Sequence, residues 1–167
     1  MPYRVFLGLG SNLGDRFHYL SAAAGALRRL PATSVVWYSS VYETDPYGRP
    51  DQPKFLNAAA EVQTALEAPE LLRHLKAIEQ EVGRTGTERW GPREIDIDIL
   101  LYEGKTYQES EVTVPHADLE HRRFALVPLR EIAADVVHPV NGQTMEELAA
   151  GCADQGRVVK TTYHLTM

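Results

Sequence analysis

Residues 89–102 read RWGPREIDIDILLY, a loop followed by a strand on which the predicted fold and site of the whole chain depend. From Ile95 to Leu101 the odd positions are apolar, whereas Asp96 and Asp98 occupy even positions. Successive side chains of a strand point to opposite faces, so both aspartates are predicted to lie on one face, with Cα atoms about 6.5 Å apart. Two carboxylates at that distance repel each other, which indicates that a cation binds between them.

The aspartate pair suits magnesium. Mg²⁺ takes oxygen ligands, usually one or two protein carboxylates, and fills its remaining positions with water and phosphate oxygens. Two carboxylates on one strand also suit two ions about 3.5–4 Å apart, the spacing used in two-metal phosphoryl chemistry. The alternative is an acidic strand face that only contacts water. Against it, Leu100 and Tyr102 make the strand apolar on both faces, which is typical of a buried strand whose carboxylates need partners.

An arginine-rich loop precedes the strand. Arg84, Arg89 and Arg93 flank Trp90 and a Gly-Pro pair. A guanidinium group binds two phosphate oxygens at once, so a loop with several arginines suits a polyphosphate. Metal-binding carboxylates beside such a loop predict a site for a nucleoside triphosphate.

Composition restricts the classes of protein. The 167 residues suffice for one domain, predicted to span residues 1–167, and the hydrophobic and charged fractions of 44% and 24% are ordinary for a globular protein. The sequence has no apolar run of about 18 residues and no signal-peptide pattern, and its single cysteine excludes an internal disulfide framework, so we expect a cytoplasmic protein. A net charge of −6 argues against general nucleic-acid binding and favours a small anionic ligand at the locally basic loop.

Hydrophobic periodicity predicts the order β-α-β-β-α-β. The predicted strands cover residues 3–10, 33–44, 55–64 and 95–101, and the predicted helices cover residues 15–30 and 69–82. This order is that of an α+β, ferredoxin-like sandwich, an antiparallel sheet with two helices packed on one face, which leaves the other face free for a site. The predicted C-terminal additions are short helices at residues 126–134 and 144–150 and a strand within residues 151–167.

Other features have two interpretations each. Residues 8–14, GLGSNLG, lack the Gly-Lys-Ser/Thr of a P-loop, so they form either a plain strand-to-helix turn or a backbone that approaches a ligand. Phe55 and Asn57 share one strand face, where they either bind a flat heterocycle or merely end the strand. Glu79 lies at the edge of the apolar face of the predicted helix 69–82. A surface Glu is the usual explanation for such a residue, and a functional Glu is the alternative. The proline-rich loop 45–53 is long enough for a binding loop.

Several short motifs occur together in this chain. They are GSNL at residues 10–13, FLNA at 55–58, RWGPR at 89–93 with Asp96-Ile97-Asp98, VPH at 114–116, and Arg122 with Phe124. In this order and spacing, from about residue 5 to about residue 148, they resemble the 6-hydroxymethyl-7,8-dihydropterin pyrophosphokinase (HPPK) family of folate biosynthesis. The resemblance is specific because several unrelated motifs coincide, whereas the Asp-x-Asp motif alone would be weak evidence for the family.

The resemblance implies a reaction and a set of site residues. The implied enzyme transfers a diphosphoryl group from ATP to the hydroxymethyl oxygen of 6-hydroxymethyl-7,8-dihydropterin and releases AMP. Asp96 and Asp98 are implied to hold two Mg²⁺ ions, with Arg84 and Arg93 steadying the phosphate charge. The residues implied on the ATP side are Leu72, Glu79, Trp90, Ile99, Thr113, His116 and Arg122. The residues implied around the pterin are Thr44, Tyr47, Phe55, Asn57 and Phe124.

The sequence also departs from the family pattern. Phe55 stands where some members have Tyr, Asp45 stands where a Pro is often found beside the pterin, and the loop 84–90 is one residue shorter than in some members. We expect a monomer that binds neither nucleic acid nor a membrane. Two other functions compete with the kinase. An RNA-binding module on an exposed sheet face fits the acidic net charge poorly, and a two-metal phosphodiesterase usually has more carboxylate or histidine ligands than one Asp pair.

Overall fold

The computed structural model describes residues 2–83 and 92–167. Arg84, Arg89 and Trp90 of the predicted loop lie outside the described residues. The elements, labelled in chain order, are β1 (Tyr3–Ser11), α1 (Arg16–Leu27), β2 (Thr33–Tyr38), β3 (Tyr42–Thr44), β4 (Phe55–Thr64), α2 (Ala68–Val82), β5 (Asp96–Tyr102), β6 (Tyr107–Gln108), β7 (Thr113–Val114), α3 (Arg123–Ala133), α4 (Met145–Ala150) and β8 (Val158–Lys160). A 3₁₀ turn, Leu119–His121, precedes α3.

The main sheet is antiparallel and is organised around β1. Its strand order is β5-β1-β4-β3-β8, and β2 pairs with β4 alongside β3. β1 pairs with β4 from Tyr3↔Thr64 to Ser11↔Leu56, and it pairs with β5 on its other side. The prediction of an α+β chain with an antiparallel sheet and packed helices is therefore confirmed.

The predicted strand at residues 33–44 is wrong in one respect, because it is divided into β2 and β3. At the break, the Ser39 backbone N–H donates to the Ala59 carbonyl at 2.8 Å, and the Ser39 hydroxyl accepts from the Ala59 N–H at 2.8 Å. A side chain thus replaces one ladder bond, and the two short strands pair with successive parts of β4.

Helices α1 and α2 cover one face of the sheet. Their buried side chains pack against the alternate apolar positions of the central strands, among them Leu7 and Leu9 of β1 and Ala60 of β4. The Asp15 carboxylate accepts from the His18 N–H at 3.1 Å at the start of α1, and Gly83 ends α2 with a φ of 127°, where a side chain would be strained.

The opposite face of the sheet is not wholly free, contrary to the prediction. α3 and α4 pack over part of it, against Phe6, Ala59, Leu100 and Leu101. α3 begins at Arg123, earlier than predicted, and Pro128 lies inside it rather than at its start. α4 begins with a capping box between Thr144 and Glu147. The open part of this face is the end of the sheet near the start of β5.

The alternation of β5 fails at its C-terminal end. Leu7 pairs with Ile99 while Phe6 pairs with Leu101, so one extra residue forms a β-bulge. Leu101 was predicted to share the face of Ile97 and Ile99, but it packs with the α3 layer. Tyr102 returns to the α1 and α2 side, where its hydroxyl donates to the Leu66 carbonyl at 3.0 Å.

The C-terminal tail packs on the domain. β8 pairs with β3, which confirms an added strand in this region. Beyond it, Thr161 donates to the Val41 carbonyl from its N–H at 2.9 Å and its hydroxyl at 2.7 Å, and the Tyr163 ring stacks on Phe17 with centroids 4.4 Å apart. Within the described residues, no helix has both the length and the apolar content needed to cross a bilayer.

A carboxylate joins the start of α2 to the hairpin after β5. Glu67 accepts hydrogen bonds from the Lys105 ammonium at 2.7 Å, from the Tyr107 hydroxyl at 2.6 Å and from the Tyr3 hydroxyl. These bonds, that from Lys105 foremost, lower the pKa of Glu67 from 4.5 to about 2. The ionised form therefore stabilises the folded chain.

We expect Glu67→Gln to lower the Tm at pH 7, because a neutral amide replaces a carboxylate that three donors contact. A carboxyl whose pKa is lowered on folding stabilises above its unfolded pKa and loses that contribution as pH falls through its folded pKa. The Tm difference between wild type and variant should therefore shrink as pH falls from about 4.5 to about 2. Thermal melts followed by circular dichroism measure this, with Glu111→Gln as a matched exposed control. A Tm difference that does not vary with pH would contradict the assignment.

Candidate active site

A cavity of about 380 Å³ opens where β1 ends and β4 and β5 begin, a size that suits small molecules. Ten residues that the family resemblance implied line it together. They are Thr44, Tyr47, Phe55, Asn57, Arg93, Asp96, Asp98, His116, Arg122 and Phe124. Residues implied on the ATP side and residues implied around the pterin, which are far apart in sequence, thus line the same cavity.

The floor of the cavity is made by glycines of the central strand. Gly8 pairs with Asp98, and Gly10 pairs with Asp96 on one side and with Asn57 on the other. A Cβ at Gly10 would lie 2.6 Å from the Asn57 Nδ2 atom, so glycine is required for this close approach. Residues 8–14 therefore do more than turn the chain, because the missing side chains of β1 leave room between the aspartates and Asn57.

Asp96 and Asp98 lie on the cavity side of β5, as predicted, while Ile97 and Ile99 face the helices. The Arg93 guanidinium lies 3.2 Å from the Asp96 carboxylate. Burial, together with the charge of Asp96, raises the pKa of the Asp98 carboxyl well above its usual range. Two ionised carboxylates are therefore unfavourable here by themselves, and a divalent cation would relieve their repulsion.

The donor set fits magnesium. Among the described residues, no group of three or more His, Cys, Asp or Glu side chains is arranged to hold a metal ion. Two carboxylates alone suit Mg²⁺, which keeps several positions for water and phosphate oxygens. They do not suit a structural zinc site, which needs four protein ligands.

The Asn57 amide is held in one orientation. Its Oδ1 atom accepts from the Thr44 hydroxyl at 2.6 Å, and its Nδ2 atom donates to the Leu9 carbonyl at 3.4 Å. An amide fixed in this way presents a defined donor and acceptor pattern to a ligand. Phe55 lies two residues before it on the same strand face and also lines the cavity.

Aromatic rings and one cation form the opposite wall. The Tyr47 and Phe124 rings have centroids 5.7 Å apart, and the Arg122 guanidinium lies 5.7 Å from each centroid. His116 lies with its Nε2 atom 3.3 Å from Arg122. Burial, and then the Arg122 charge, lower the pKa of His116 to about 4, so the imidazole is neutral at pH 7 and the positive charge here belongs to Arg122.

Four residues implied on the ATP side are not among the described residues that line this cavity. Ile99 packs in the core under α1 and α2, Leu72 is partly buried against the same core, and Thr113 lies in β7. Glu79 is 1% exposed, so the surface explanation is wrong. Its carboxylate accepts from the Ile97 N–H at 2.7 Å, a contact that joins α2 to β5. Arg84 and Trp90 lie outside the described residues.

Asn12, which belongs to the GSNL motif, makes contacts on both sides of the site that were not predicted. Its Nδ2 atom donates to Gln52 Oε1 and to the Pro53 carbonyl, both at 2.9 Å. Its Oδ1 atom accepts from the Arg93 N–H at 2.9 Å, and its own N–H donates to the Arg93 carbonyl at 3.1 Å. Asn12 thus joins the loop before β4 to the segment before β5. The predicted order of elements could have indicated that these two loops meet, because both strands that pair antiparallel with β1 must begin where β1 ends.

Comparison with known proteins agrees with this geometry. A profile of the 7,8-dihydro-6-hydroxymethylpterin-pyrophosphokinase (HPPK) family matches residues 6–134. The 2-amino-4-hydroxy-6-hydroxymethyldihydropteridine pyrophosphokinase of Haemophilus influenzae is 44% identical over 90% of this chain and 93% of its own length. The enzyme of the same name from Pseudomonas aeruginosa is 42% identical over 93% of this chain and 96% of its own length.

Solved structures support the fold alone. The crystal structure of wild-type Plasmodium falciparum HPPK-DHPS matches 90% of this chain with a TM-score of 0.71 at 16% identity, and the match spans 41% of that longer chain. Since the profile covers most of the chain and the curated relatives match nearly end to end, the chain belongs to the 7,8-dihydro-6-hydroxymethylpterin-pyrophosphokinase family.

Proposed function

We propose that the cavity beside Asp96 and Asp98 is where the pyrophosphokinase reaction of this family takes place. The diphosphoryl group of ATP passes to the hydroxymethyl oxygen of 6-hydroxymethyl-7,8-dihydropterin, and AMP leaves. The observation that carries the proposal is that the aspartate pair and the Asn57 and Phe124 side chains line one continuous cavity. A donor and an acceptor bound there are close enough to react without a second site.

Asp96 and Asp98 are the proposed ligands of two Mg²⁺ ions. When bound, the ions would neutralise the charge of the triphosphate. The repulsion between the two aspartates supports the proposal. Arg93 supports it as well, because its guanidinium group lies beside Asp96 and can bind two phosphate oxygens at once. The protein's own contribution is to place these charges on a rigid strand.

The remaining phosphate and nucleotide contacts are proposed in two groups. Arg122 and His116 line the cavity, with Arg122 supplying charge and neutral His116 a hydrogen bond. A second group would lie around the outer edge of β5, where the His116 N–H donates to the Leu100 carbonyl at 3.0 Å. That group comprises Leu72, Glu79, Ile99 and Thr113. Arg84 and Trp90 remain proposed contacts that lie outside the described residues.

The pterin is proposed to bind between the aromatic walls. Phe55 and Phe124 would contact the faces of the ring, and the Asn57 amide would hydrogen-bond its edge, with Thr44 and Tyr47 completing the pocket. Transfer then requires the hydroxymethyl oxygen to lie in line with the departing AMP oxygen. Positioning and charge neutralisation supply most of the catalysis in reactions of this kind.

We also propose the finer features of the architecture. The strand order, with both helices on one face, supports a ferredoxin-like sandwich with C-terminal additions. One domain spanning residues 1–167, acting as a cytoplasmic monomer without nucleic-acid or membrane partners, fits the six-stranded main sheet and the acidic net charge of −6.

Asp96→Ala and Asp98→Ala test the metal ligands. Each variant should lower kcat by about a hundredfold or more, because several kcal/mol of charge stabilisation are lost with the ions. The measurement is Mg²⁺-dependent formation of AMP from ATP, with and without the pterin, and circular dichroism checks the fold. Asp135→Ala, an exposed residue after α3, is the control. Full activity in both aspartate variants would refute the metal assignment, and pterin-independent hydrolysis would instead support a phosphodiesterase.

Arg93→Ala should slow chemistry more than it weakens nucleotide binding. Loss of one preoriented charged donor costs about a hundredfold in kcat, whereas other groups still hold the triphosphate. Single-turnover kinetics measure the first quantity, and calorimetry with a non-hydrolysable ATP analogue and Mg²⁺ measures the second. If the Kd for the analogue rises a hundredfold while the single-turnover rate is unchanged, the proposed role is wrong.

Asn12→Ala should affect both halves of the site. The buried amide joins the Gln52–Pro53 loop to Arg93, so its loss should lower the free energy of unfolding by about 1–3 kcal/mol. It should also raise the KM for the pterin and lower kcat. Asn12→Asp is the matched variant, since it keeps the acceptor for the Arg93 N–H and loses the Nδ2 donor, and its kcat should be closer to wild type. If both variants lost the same amount of activity, separate roles for the Oδ1 and Nδ2 atoms of Asn12 would be contradicted.

A further inference from the structure

The segment between α4 and β8 contacts both loops that carry the aromatic wall. Residues 154–157 lie against Asp45, two residues before Tyr47, and against Arg123, the residue before Phe124. Asp45 is among the described residues that line the main cavity, and none of residues 154–157 is. The segment therefore lies behind the wall rather than within the site.

Asp45 and Arg157 are joined by two hydrogen bonds. The Arg157 N–H donates to Asp45 Oδ2 at 3.0 Å, and the Asp45 N–H donates to the Arg157 carbonyl at 3.1 Å. The pairing continues directly into the sheet, where Thr44 of β3 pairs with Val158 of β8. A proline at position 45 has no N–H and no carboxylate, so it would make neither bond. The bonds therefore depend on the residue by which this chain departs from the family pattern.

Asp154 makes the second attachment. Its Oδ2 atom accepts from the Arg123 N–H at 3.2 Å, and its Oδ1 atom accepts from the Gly156 N–H at 2.9 Å. Arg123 is the first residue of α3, and the residue before it makes no side-chain cap. A carboxylate from a distant part of the chain thus binds one of the free N–H groups at the start of α3, where negative charge is favoured. Phe124 follows directly in the helix.

The tail also closes the space behind the rings. A small cavity of about 20 Å³ is lined by Pro46, Tyr47 and Phe124 on one side. Its other lining residues include Asp154, Gly156 and Val158. Tyr47 and Phe124 thus line both cavities, and the C-terminal segment lies across the smaller one from them.

We propose that Asp154 and Arg157 are positioning residues for the pterin, acting through Tyr47 and Phe124. By tying the loop after β3 and the start of α3 to the same segment, they set the distance between the rings before the ligand arrives. A wall that is already ordered loses less conformational entropy when the ligand binds. The inference rests on the proposed pterin site, and it concerns pterin affinity rather than ATP affinity.

Asp154→Ala is the principal test, with calorimetry of pterin binding in the presence of Mg²⁺ and a non-hydrolysable ATP analogue. We expect the Kd and KM for the pterin to rise five- to tenfold, with the KM for ATP unchanged. Asp154→Asn keeps one oxygen acceptor and should show a smaller increase. Tyr163→Ala is the matched control on the same tail, since it stacks on Phe17 away from the cavity. It should lower the Tm and leave both KM values unchanged.

A measurement on the wild type tests the proposal even if a variant does not fold. Amide hydrogen exchange of Arg123 and Arg157 should slow when the pterin binds, because both N–H groups bond across the proposed attachments. Any of three results would overturn the proposal: unchanged exchange, an unchanged pterin Kd in Asp154→Ala, or an equal rise in the KM of both substrates. Phe124→Ala separates this outcome from failure of the pterin site. If it too leaves the pterin Kd unchanged, the site itself is misplaced.

Discussion

The site depends on the absence of side chains from one face of the central strand. Gly8 and Gly10 of β1 lie between Asp98 and Asp96 on one side and Asn57 on the other. A sheet normally fills such a row with side chains that contact their cross-strand neighbours. Here two missing side chains create a trough, and the neighbouring strands supply an edge with two carboxylates and an edge with an amide and an aromatic ring. The chemistry of each edge then follows from the residues that alternate onto this face.

The strand topology also places the loops that border the trough. β4 and β5 are both antiparallel to β1, so both begin where β1 ends. The loops that precede them must therefore meet beside Asn12, which hydrogen-bonds to both. The C-terminal tail holds the same region from the other side, at Asp45 and Arg123. The two substrates of a pyrophosphokinase must approach in a fixed geometry, and these contacts join the two halves of the site without a hinge between domains.

Much of this arrangement could be predicted from local pattern, and the exceptions have physical causes. The period of two placed Asp96, Asp98, Phe55 and Asn57 on the correct faces, because alternation is a property of any extended strand. It failed at Leu101, since one extra residue in a bulge reverses the faces and leaves no mark in the hydrophobic pattern. Helix periodicity found α2 but not the burial of Glu79. A buried carboxylate is tolerated because it has partners, among them the Ile97 N–H on β5 and the Lys76 ammonium at 3.5 Å, and pairings between distant segments are not encoded in local periodicity. The attachments made by Asp154 were beyond prediction for the same reason.

The Glu79 carboxylate has a consequence for the behaviour of the sheet at high concentration. β5 is the outermost strand at its side of the sheet, and such a strand offers unpaired backbone groups that can recruit a strand from another molecule. The Ile97 N–H is already occupied by Glu79, at 2.7 Å. An incoming polypeptide would have to displace a buried anion before it could extend the ladder there. The residue that secures α2 to the aspartate strand therefore also occupies a backbone donor that an added strand would need.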